Sequence, residues 1–373
     1  MVRGIGAVAL ALGHGNEDGG SYLRPDEDEF TLIVEVIEEL LHSLPRPAGP
    51  SPRLVLLGGA VYVEDWMLRE ATGFGDLEIE RSDGSISDLA KGVRRAIGEG
   101  ADDANDHLFI VTGSAKRGDA PTGTVGLRFT SEGALLLDRW TDRGASSEAL
   151  LLPLFIDGLR ELRRWTESAR PGDETDWWLH RGPTGDVSAR VTLRGPIAWA
   201  GAWDERQEHS GGVQALSGRT NEAVSLDKVS QGAYVPWTTY RENLPSRWRL
   251  EATRCLACLR VSFPRREFCR WCGETRRLET VLLPRDGLTV VASTVIQSGA
   301  QPTEFDDLVS ATGGYGVVLV EMVPGVRATF QVTDHEAVPL SVGARVDTRL
   351  RRLYAMEGQW RYGRKAVPRT ELK

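Results

Sequence analysis

Four cysteines grouped in two closely spaced pairs place the strongest constraint on this chain. Cys255 and Cys258 form one C-x-x-C pair, Cys269 and Cys272 form the other, and the sequence contains no further cysteine. A C-x-x-C pair can curve its backbone so that both thiolates face one tetrahedral ion, and two such pairs complete a four-sulfur shell. We therefore predict a closed structural zinc site, with two disulfides or a catalytic zinc as the alternatives. If zinc holds all four cysteines, none remains to act as a nucleophile.

The charge and hydropathy of the 373-residue chain narrow the choice of partners. The formal net charge of -8 at pH 7 argues against a general nucleic-acid-binding protein. No apolar run reaches the roughly 18 residues that a membrane-spanning helix needs, so we expect no membrane insertion. Residues 5–12 are apolar but run into polar residues, and we interpret them as a buried strand rather than a signal sequence. Thiols gathered at a metal site are typical of the reducing cytoplasm, which is the predicted location.

Apolar segments in the first part of the chain alternate between strand and helix patterns. Strands are predicted for residues 4–12, 53–57, 77–80, 107–112, 123–129, 133–137, 176–180 and 191–193, and helices for residues 26–44, 61–70, 86–97 and 147–167. This alternation predicts an α/β domain with a mostly parallel sheet covered by helices. The acidic residues that open the helix at 26–44 are interpreted as solvated charges at its positive N-terminus, with a cation site as the alternative.

Short strands separated by turn signals follow the cysteine pairs. They are predicted for residues 280–283, 288–296, 316–322, 326–332 and 345–354, and they indicate a small closed β-barrel. Residues 201–231 are rich in Gly and Ser and predict irregular structure leading into a linker. We therefore divide the chain into an α/β domain over 1–232, an aromatic and basic lead-in with the cysteine pairs over 233–278, and a barrel with a C-terminal tail over 279–373.

Other side chains with chemical potential are few. His180 ends an apolar run and is a weak catalytic candidate, because a satisfied structural histidine is the better explanation of its position. Arg265, Arg266 and Arg270 crowd the cysteine pairs, where they can meet phosphate groups or form salt bridges with acidic neighbours. The serines lack the G-x-S-x-G pattern of a hydrolase nucleophile, and the Gly-rich stretches lack a phosphate-loop pattern.

The stretch from residue 234 to residue 368 resembles the zinc-ribbon/OB-fold proteins that accompany thiolases and HMG-CoA synthase-like enzymes. The resemblance rests on an aromatic lead-in, the two cysteine pairs, Phe263 to Arg265 between them, Gly273 after the second pair, and residues 317–326 as a barrel strand and turn. It implies a rubredoxin-like zinc ribbon followed by an OB-fold barrel. One departure is Leu259, where the first pair is usually followed by glycine.

The N-terminal part resembles the thiolase fold as used by HMG-CoA synthase-like proteins. Residues 25–29 before a helix are similar to an acidic segment of that family, and residues 176–180 look like the strand that delivers its catalytic histidine. The family's nucleophilic cysteine opens a core helix, but residues 81–85 stand there without a cysteine, and the acid expected after the second strand is missing at residues 57–60. Acyl transfer of this type needs a thiolate, so the resemblance implies a degenerate domain in which His180 has no nucleophile to activate.

Together the two resemblances imply a non-catalytic scaffold subunit of a thiolase-type or HMG-CoA synthase-like acyltransferase complex. They imply a partner subunit that carries the catalytic cysteine, an acyl-CoA ligand whose phosphates meet Arg265, Arg266 and Arg270, and structural zinc on the four cysteines. Two alternatives stay open. One is a stand-alone acyl-CoA enzyme that uses His180 with Ser82 or Ser85. The other is a zinc-ribbon/OB-fold nucleic-acid-binding protein, against which the acidic balance stands.

Overall fold

The computed structural model describes most of the chain and divides it into two compact units. The described residues are 4–12, 14–15, 21–22, 26–42, 52–58, 63–82, 93, 107–113, 123–130, 133–143, 152–182, 185–201, 236–335, 337–356 and 359–369. Unit 1 comprises Met1–Leu23 and Glu29–His209, and unit 2 comprises Arg24–Asp28 and Ser210–Lys373. The short acidic segment before residue 29 thus belongs to the unit that contains the cysteines.

Unit 1 is rich in strands and contains three described helices. Its strands are β1 Gly4–Leu12, β2 His14–Gly15, β3 Ser21–Tyr22, β4 Arg53–Leu57, β5 Glu78–Ser82, β6 His107–Gly113, β7 Gly123–Thr130, β8 Leu135–Arg143, β9 Glu174–Gly182, β10 Gly185–Leu193 and β11 Ala198–Gly201. Its helices are α1 Glu29–His42, α2 Asp65–Thr72 and α3 Leu152–Ser168. The helix predicted for residues 86–97 lies outside the described residues apart from Val93, which is buried.

A mixed nine-stranded sheet organises unit 1. The strand order is β5-β4-β6-β7-β1-β8-β10-β9, and β11 pairs in addition with β1. Among the described pairs, β4 runs parallel to β5 and β6, and β1 runs parallel to β11, whereas the other neighbours are antiparallel. The prediction of a mostly parallel sheet is therefore wrong. Consecutive strands such as β9 and β10 are joined by short connections, which allow antiparallel pairing, whereas parallel pairing needs a longer crossover.

Helix α1 packs a wide apolar face against the sheet. Its apolar residues Phe30, Leu32, Ile33, Val34, Val36, Ile37 and Leu40 are all buried. Glu35, Glu38, Glu39 and His42 recur at i, i+3, i+4 and i+7 and form a separate, less buried face, so α1 is an amphipathic helix with a wide apolar face. Gly126 of β7 permits the close approach, because a Cβ at that position would lie 2.4 Å from Val36 Cγ1. The buried Arg128 donates to the Leu40 carbonyl at 3.1 Å and so satisfies an acceptor near the end of α1.

Unit 2 contains two sheets and three described α-helices. Its helices are α4 Trp237–Glu242, α5 Leu244–Arg249 and α6 Asp306–Thr312, and its strands are β12 Glu251–Cys255, β13 Val261–Ser262, β14 Leu278–Leu282, β15 Leu288–Gln297, β16 Gly314–Val323, β17 Val326–Gln331, β18 Arg345–Met356 and β19 Gln359–Pro368. The strands predicted after the cysteine pairs coincide with β14 to β18. The strand β19 was not among the predicted strands.

The larger sheet of unit 2 has its two edges connected. Its order is β17-β16-β15-β18-β19, with antiparallel neighbours throughout. A parallel bridge between Val332, just after β17, and Ala366 of β19 joins the two edge strands. Side chains such as Val318, Phe330 and Val346 fill the interior. The smaller sheet, β13-β12-β14, carries the cysteine pairs.

The aromatic lead-in to the cysteine pairs packs on β19. The Tyr240 hydroxyl donates to the Tyr362 carbonyl at 2.9 Å, and it accepts from the Tyr362 backbone N–H at 2.7 Å and from the Trp248 indole at 3.2 Å. Burial raises the pKa of Tyr240 to about 12, against the smaller lowering effect of its hydrogen bonds and of nearby arginines. The lead-in is therefore part of the core of unit 2.

The acidic residues before α1 are buried, whereas the sequence pattern predicts that they are exposed to solvent. Helix α1 begins at Glu29, so Asp26, Glu27 and Asp28 precede it, and all three are buried in unit 2. The interpretation of these residues as solvated charges at a helix N-terminus is wrong. Their carboxylates meet cations of β18 and β19, which a sequence pattern does not reveal because the partners lie hundreds of residues away.

Within the described ranges, none of the helices combines the length and the apolar character needed to cross a membrane.

Candidate metal site and its surroundings

The small three-stranded sheet of unit 2 positions the four cysteines. Cys255 is the last residue of β12, and the chain then turns through Cys258 into β13. The Cys255 N–H donates to the Arg260 carbonyl at 2.9 Å, and the Leu259 N–H donates to the Cys255 carbonyl at 2.8 Å. The second pair repeats the arrangement, since the Gly273 N–H donates to the Cys269 carbonyl at 2.9 Å and the Cys269 N–H to the Glu274 carbonyl at 2.8 Å. Both pairs therefore form tight turns with their sulfurs on the inside.

The residue after each pair adopts a left-handed backbone. Gly273 has φ 73, and Leu259 has φ 61 at the equivalent place in the first turn. Glycine reaches this conformation without steric cost, whereas a leucine is disfavoured there by roughly 1–2 kcal/mol. The first cysteine turn thus has the same left-handed backbone as the second, although it carries Leu259 where the second carries Gly273.

The four sulfurs converge on one point. The ligand atoms of Cys255, Cys258, Cys269 and Cys272 all lie within 4.8 Å of one another. The Sγ atoms of Cys255 and Cys272 are 3.6 Å apart, and those of Cys258 and Cys269 are 3.5 Å apart. These separations are far longer than the roughly 2 Å of a disulfide. They approach the separation of about 3.8 Å expected for four thiolates around a tetrahedral zinc at about 2.3 Å. The cluster can hold a metal ion, and its geometry is compatible with a zinc ribbon.

Backbone N–H groups donate hydrogen bonds to the sulfurs of the second cysteine pair and favour the thiolate form that binds a cation. Burial would raise the pKa of Cys269, but hydrogen bonds from the Cys272 and Trp271 N–H groups and from the neighbouring thiols lower it to about 6. The Glu274 N–H lowers the pKa of the exposed Cys272, but the hydrogen bonds with the Cys269, Cys255 and Cys258 sulfurs and desolvation raise it to about 12. Cysteine binds a metal as the thiolate, so metal binding releases the protons that the four thiols still carry.

The arginines near the cysteine pairs are not all in one place. Arg265 and Arg266 line an open cavity of about 270 Å³, together with Thr253, Glu267, Thr275, Leu278, Glu279 and Thr280. Arg265 also pairs with Glu251 at 3.3 Å. The guanidinium of Arg270 instead stacks 4.6 Å above the Trp271 ring. The structure thus brings two of the three predicted phosphate-binding residues together and places the third on the second cysteine turn.

His180 and Ser82 lie on opposite edges of the sheet of unit 1. His180 belongs to the edge strand β9, where its backbone pairs with that of Val187, and its side chain lies outside the described part of the structure. Ser82 ends the other edge strand, β5. Seven strand intervals of about 4.8 Å separate β5 from β9 along the sheet, or roughly 30 Å. The strand order therefore places Ser82 and His180 on different edges and does not bring them together as a catalytic pair. Ser85 lies outside the described residues.

Searches against known proteins identify relatives of part of the chain. No family model matches. The chain is 30% identical over 131 residues to a DUF35 domain-containing scaffold protein of Methanothermobacter thermautotrophicus, covering 34% of this chain and 92% of that protein. It is 27% identical over 128 residues to a protein of the same description from Methanocaldococcus jannaschii, covering 34% of this chain and 86% of that protein.

Solved structures resemble the chain only distantly. A structure described as "Ltp2-ChsH2(DUF35) aldolase" has a TM-score of 0.27 and 21% identity, and the match covers 35% of this chain and 90% of that chain. A monomeric SCP2-thiolase like protein from Mycobacterium smegmatis has a TM-score of 0.35 and 10% identity over 98% of both chains. Similarity at this level defines neither the fold nor the function of this protein. The sequence match to the archaeal relatives is decisive, and the chain belongs to the family of DUF35 domain-containing scaffold proteins.

Proposed function

We propose that the protein is a non-catalytic scaffold subunit of a thiolase-type or HMG-CoA synthase-like acyltransferase complex that acts on CoA thioesters. One observation carries the proposal: all four cysteines of the chain lie in the metal-binding cluster. Thiolase-type acyl transfer requires a thiolate that carries the acyl group, so this chain has no residue for that step. The catalytic cysteine then comes from a thiolase-fold partner, and the curated relatives are themselves described as scaffold proteins.

The proposal assigns zinc to the four cysteines. A donor set of sulfur alone suits zinc, and four protein ligands close the coordination shell, which is the arrangement of a structural site. When bound, the metal cross-links the turns after β12 and before β14. Around it, the residues of the chain set the geometry: backbone N–H groups hold the sulfurs, and Leu259 and Gly273 turn the chain away from the site. The site supplies stability and shape to the scaffold, and it leaves no position for substrate.

The larger sheet of unit 2 is proposed to be an OB-fold barrel. Its strand order and the parallel Val332–Ala366 bridge between the edge strands support this assignment, because both are expected for a closed five-stranded Greek-key barrel. We also propose that the domains meet at residues 232 and 278 and that the N-terminal domain is a degenerate thiolase-like domain. The proposed location is the cytoplasm.

Acyl-CoA is the proposed ligand, and Arg265, Arg266 and Arg270 are its proposed phosphate contacts. Guanidinium groups bind phosphate through charge-assisted and often bidentate hydrogen bonds. Arg265 and Arg266 share one open cavity with Thr253 and Thr275. The Thr253 hydroxyl already donates to the Arg266 carbonyl at 2.8 Å, so the Thr275 hydroxyl is the further donor proposed for the phosphate. Glu267 and Glu279 line the same cavity and reduce its positive charge, so we expect weak binding by this chain alone and tighter binding in the complex.

Co-purification and kinetics test the scaffold assignment. The tagged protein is isolated from its host, its stoichiometric companions are identified by mass spectrometry, and CoA-thioester turnover is measured for the chain alone and for the complex. We expect a thiolase-fold companion with its cysteine in place and turnover only in the complex. Turnover by the chain alone that survives removal of contaminants would overturn the assignment, and so would a complex whose activity is unchanged when this chain is withdrawn.

Variants then test the ligand assignment. Replacing Arg265 and Arg266 by alanine is expected to weaken CoA binding to the complex at least about tenfold, since one charged hydrogen bond contributes about 1.5–3 kcal/mol and about 1.4 kcal/mol corresponds to a factor of ten. The exposed Arg164 of α3 provides a matched control. Equal CoA affinity in the arginine variant and the Arg164→Ala control would remove these residues from the CoA site while leaving the scaffold role intact.

A further inference from the structure

Three consecutive carboxylates are buried among the cations of β18 and β19. The Asp26 carboxylate accepts from Lys365 Nζ at 2.9 Å and from the Thr333 hydroxyl at 2.8 Å. Both Asp26 and Lys365 are almost completely buried, with 6% and 1% of their surface exposed. Burial alone would raise the pKa of Asp26, but the charges of Lys365 and Arg351 and the hydrogen bonds lower it to about 2. Asp26 is therefore an anion held in the interior of unit 2.

The next two acids meet cations of their own. Glu27 lies 3.4 Å from the guanidinium of Arg351, and both side chains are buried. Asp28 accepts from Arg352 Nε at 2.7 Å and from the Tyr362 hydroxyl at 2.7 Å. Arg352 in turn stacks 4.5 Å above the Trp360 ring, which fixes the direction of its guanidinium. Asp26, Glu27 and Asp28 thus form ion pairs with Lys365, Arg351 and Arg352, and Arg351 also lies 3.4 Å from Asp334.

A backbone hydrogen bond also fixes the position of the tripeptide along β18. The Arg352 N–H donates to the Asp26 carbonyl at 2.8 Å, so the tripeptide is fixed along β18 by main-chain as well as side-chain groups. Hydroxyls of Thr333 and Tyr362 complete the hydrogen bonding of Asp26 and Asp28. A site with three cations, two hydroxyls and one amide, all aimed at one short segment, has the features of a peptide-recognition site.

We propose that Lys365, Arg351 and Arg352 form a recognition site for an acidic tripeptide, which the chain itself fills with Asp26, Glu27 and Asp28. The chain supplies this segment in cis, so its effective concentration at the site is high and an added acidic peptide cannot compete. The ion pairs fix Asp26, Glu27 and Asp28 within unit 2, to which this short segment belongs. The site does not depend on the scaffold function proposed above.

A cleavable form of the full chain tests the proposal. A specific protease site is inserted after Gly212, in the Gly- and Ser-rich stretch, and the folded protein is cut and analysed by size-exclusion chromatography. We expect the two fragments to elute together. The near-isosteric variant Asp26→Asn/Glu27→Gln/Asp28→Asn is expected to weaken their association at least about a hundredfold, since it removes several charged hydrogen bonds. A control that neutralises the exposed Asp157, Glu161 and Glu167 of α3 has the same change in charge and is expected to elute like the parent.

A labelled peptide with the sequence of residues 21–30 provides the second measurement. By fluorescence anisotropy it is expected to bind the uncut neutralised variant and not the parent, and a peptide with Asn-Gln-Asn in place of the acids is expected to bind neither. If the triple variant does not fold by circular dichroism, Asp28→Asn alone replaces it, and its fragments are expected to separate at lower salt than those of the parent. Fragments of a folded neutralised variant that associate as tightly as the parent's would overturn the proposal, and so would a parent that dissociates on cleavage.

Discussion

The ion pair between Asp26 and Lys365 predicts a measurable coupling in the stability of unit 2. Replacing Asp26 by asparagine leaves Lys365 charged in the interior, and replacing Lys365 by methionine leaves Asp26 without its nearest cation. Breaking a buried pair from either side is expected to cost about 3 kcal/mol, whereas replacing both partners leaves no uncompensated charge. The double variant is therefore expected to lose at least about 2 kcal/mol less than the sum of the single variants.

The same pair predicts how the stability of unit 2 depends on pH. The pKa of Asp26 falls from 3.8 to about 2 on folding. A depressed pKa contributes stability that is fully present above the unfolded-state pKa and is lost as the pH falls through the folded-state pKa. The shift of almost two units corresponds to about 2 kcal/mol. The stability difference between the parent and Asp26→Asn is thus expected to be constant from pH 7 to about pH 5 and to shrink between about pH 4 and pH 2.

Hydrogen exchange measured by mass spectrometry on peptides from β18 and β19 reports the opening of unit 2 separately from unit 1. The exposed Asp76→Asn serves as a control and is expected to change stability by less than about 0.5 kcal/mol. Additive single variants, or an Asp26→Asn deficit that stays constant down to pH 2, would refute the reasoning.

Three further changes have expected outcomes. Cys272→Ser removes one of the four converging sulfurs, so the metal content measured by inductively coupled plasma mass spectrometry is expected to fall well below that of the parent. When metal is added back to metal-free parent protein, its uptake is expected to release protons that a pH indicator detects. Gly273→Ala is expected to destabilise the metal-bound protein by about 1 kcal/mol, because φ is 73 at this position while no neighbour lies within 4 Å of the added Cβ. Leu259→Gly, at φ 61, is expected to stabilise the protein or leave its stability unchanged. Thermal melts that shift in the opposite directions would contradict the left-handed geometry. Gly126→Ala is expected to lower the free energy of unfolding, measured by chemical denaturation, by at least about 1–3 kcal/mol, because the added Cβ would lie 2.4 Å from Val36 Cγ1. Gly75→Ala is the control, since no atom lies within 4 Å of its added Cβ. An equal loss of stability in both variants would show that packing is not the cause.

Local patterns in the sequence were sufficient to predict several parts of the molecule. The spacing of Cys255, Cys258, Cys269 and Cys272 predicted a common site, and the structure brings the four sulfurs together, because a C-x-x-C turn is a local geometry that needs few distant contacts. Strands β1, β4 and β15 to β18 were also predicted from apolar runs bounded by turn residues. These elements depend mainly on neighbours in the sequence, so the sequence carries enough information to locate them.

Contacts between distant segments decided the rest. The antiparallel pairing within the sheet of unit 1, and hence the separation of Ser82 from His180, depends on strand order, which apolar patterns do not encode. Leu259 adopts a left-handed backbone because the surrounding turn requires it, although its own preference is against it.

The acidic tripeptide shows the difference most clearly. By sequence alone, Asp26, Glu27 and Asp28 are charges at the start of a helix, for which solvent exposure is the ordinary expectation. Their burial becomes possible only because β18 and β19, more than three hundred residues later, place Lys365, Arg351 and Arg352 against them. The sequence by itself determined the residue types and the local turns and strands. The tertiary structure decided which charges are paired, because the free energy of a buried charge depends on the groups around it and not on its neighbours along the chain.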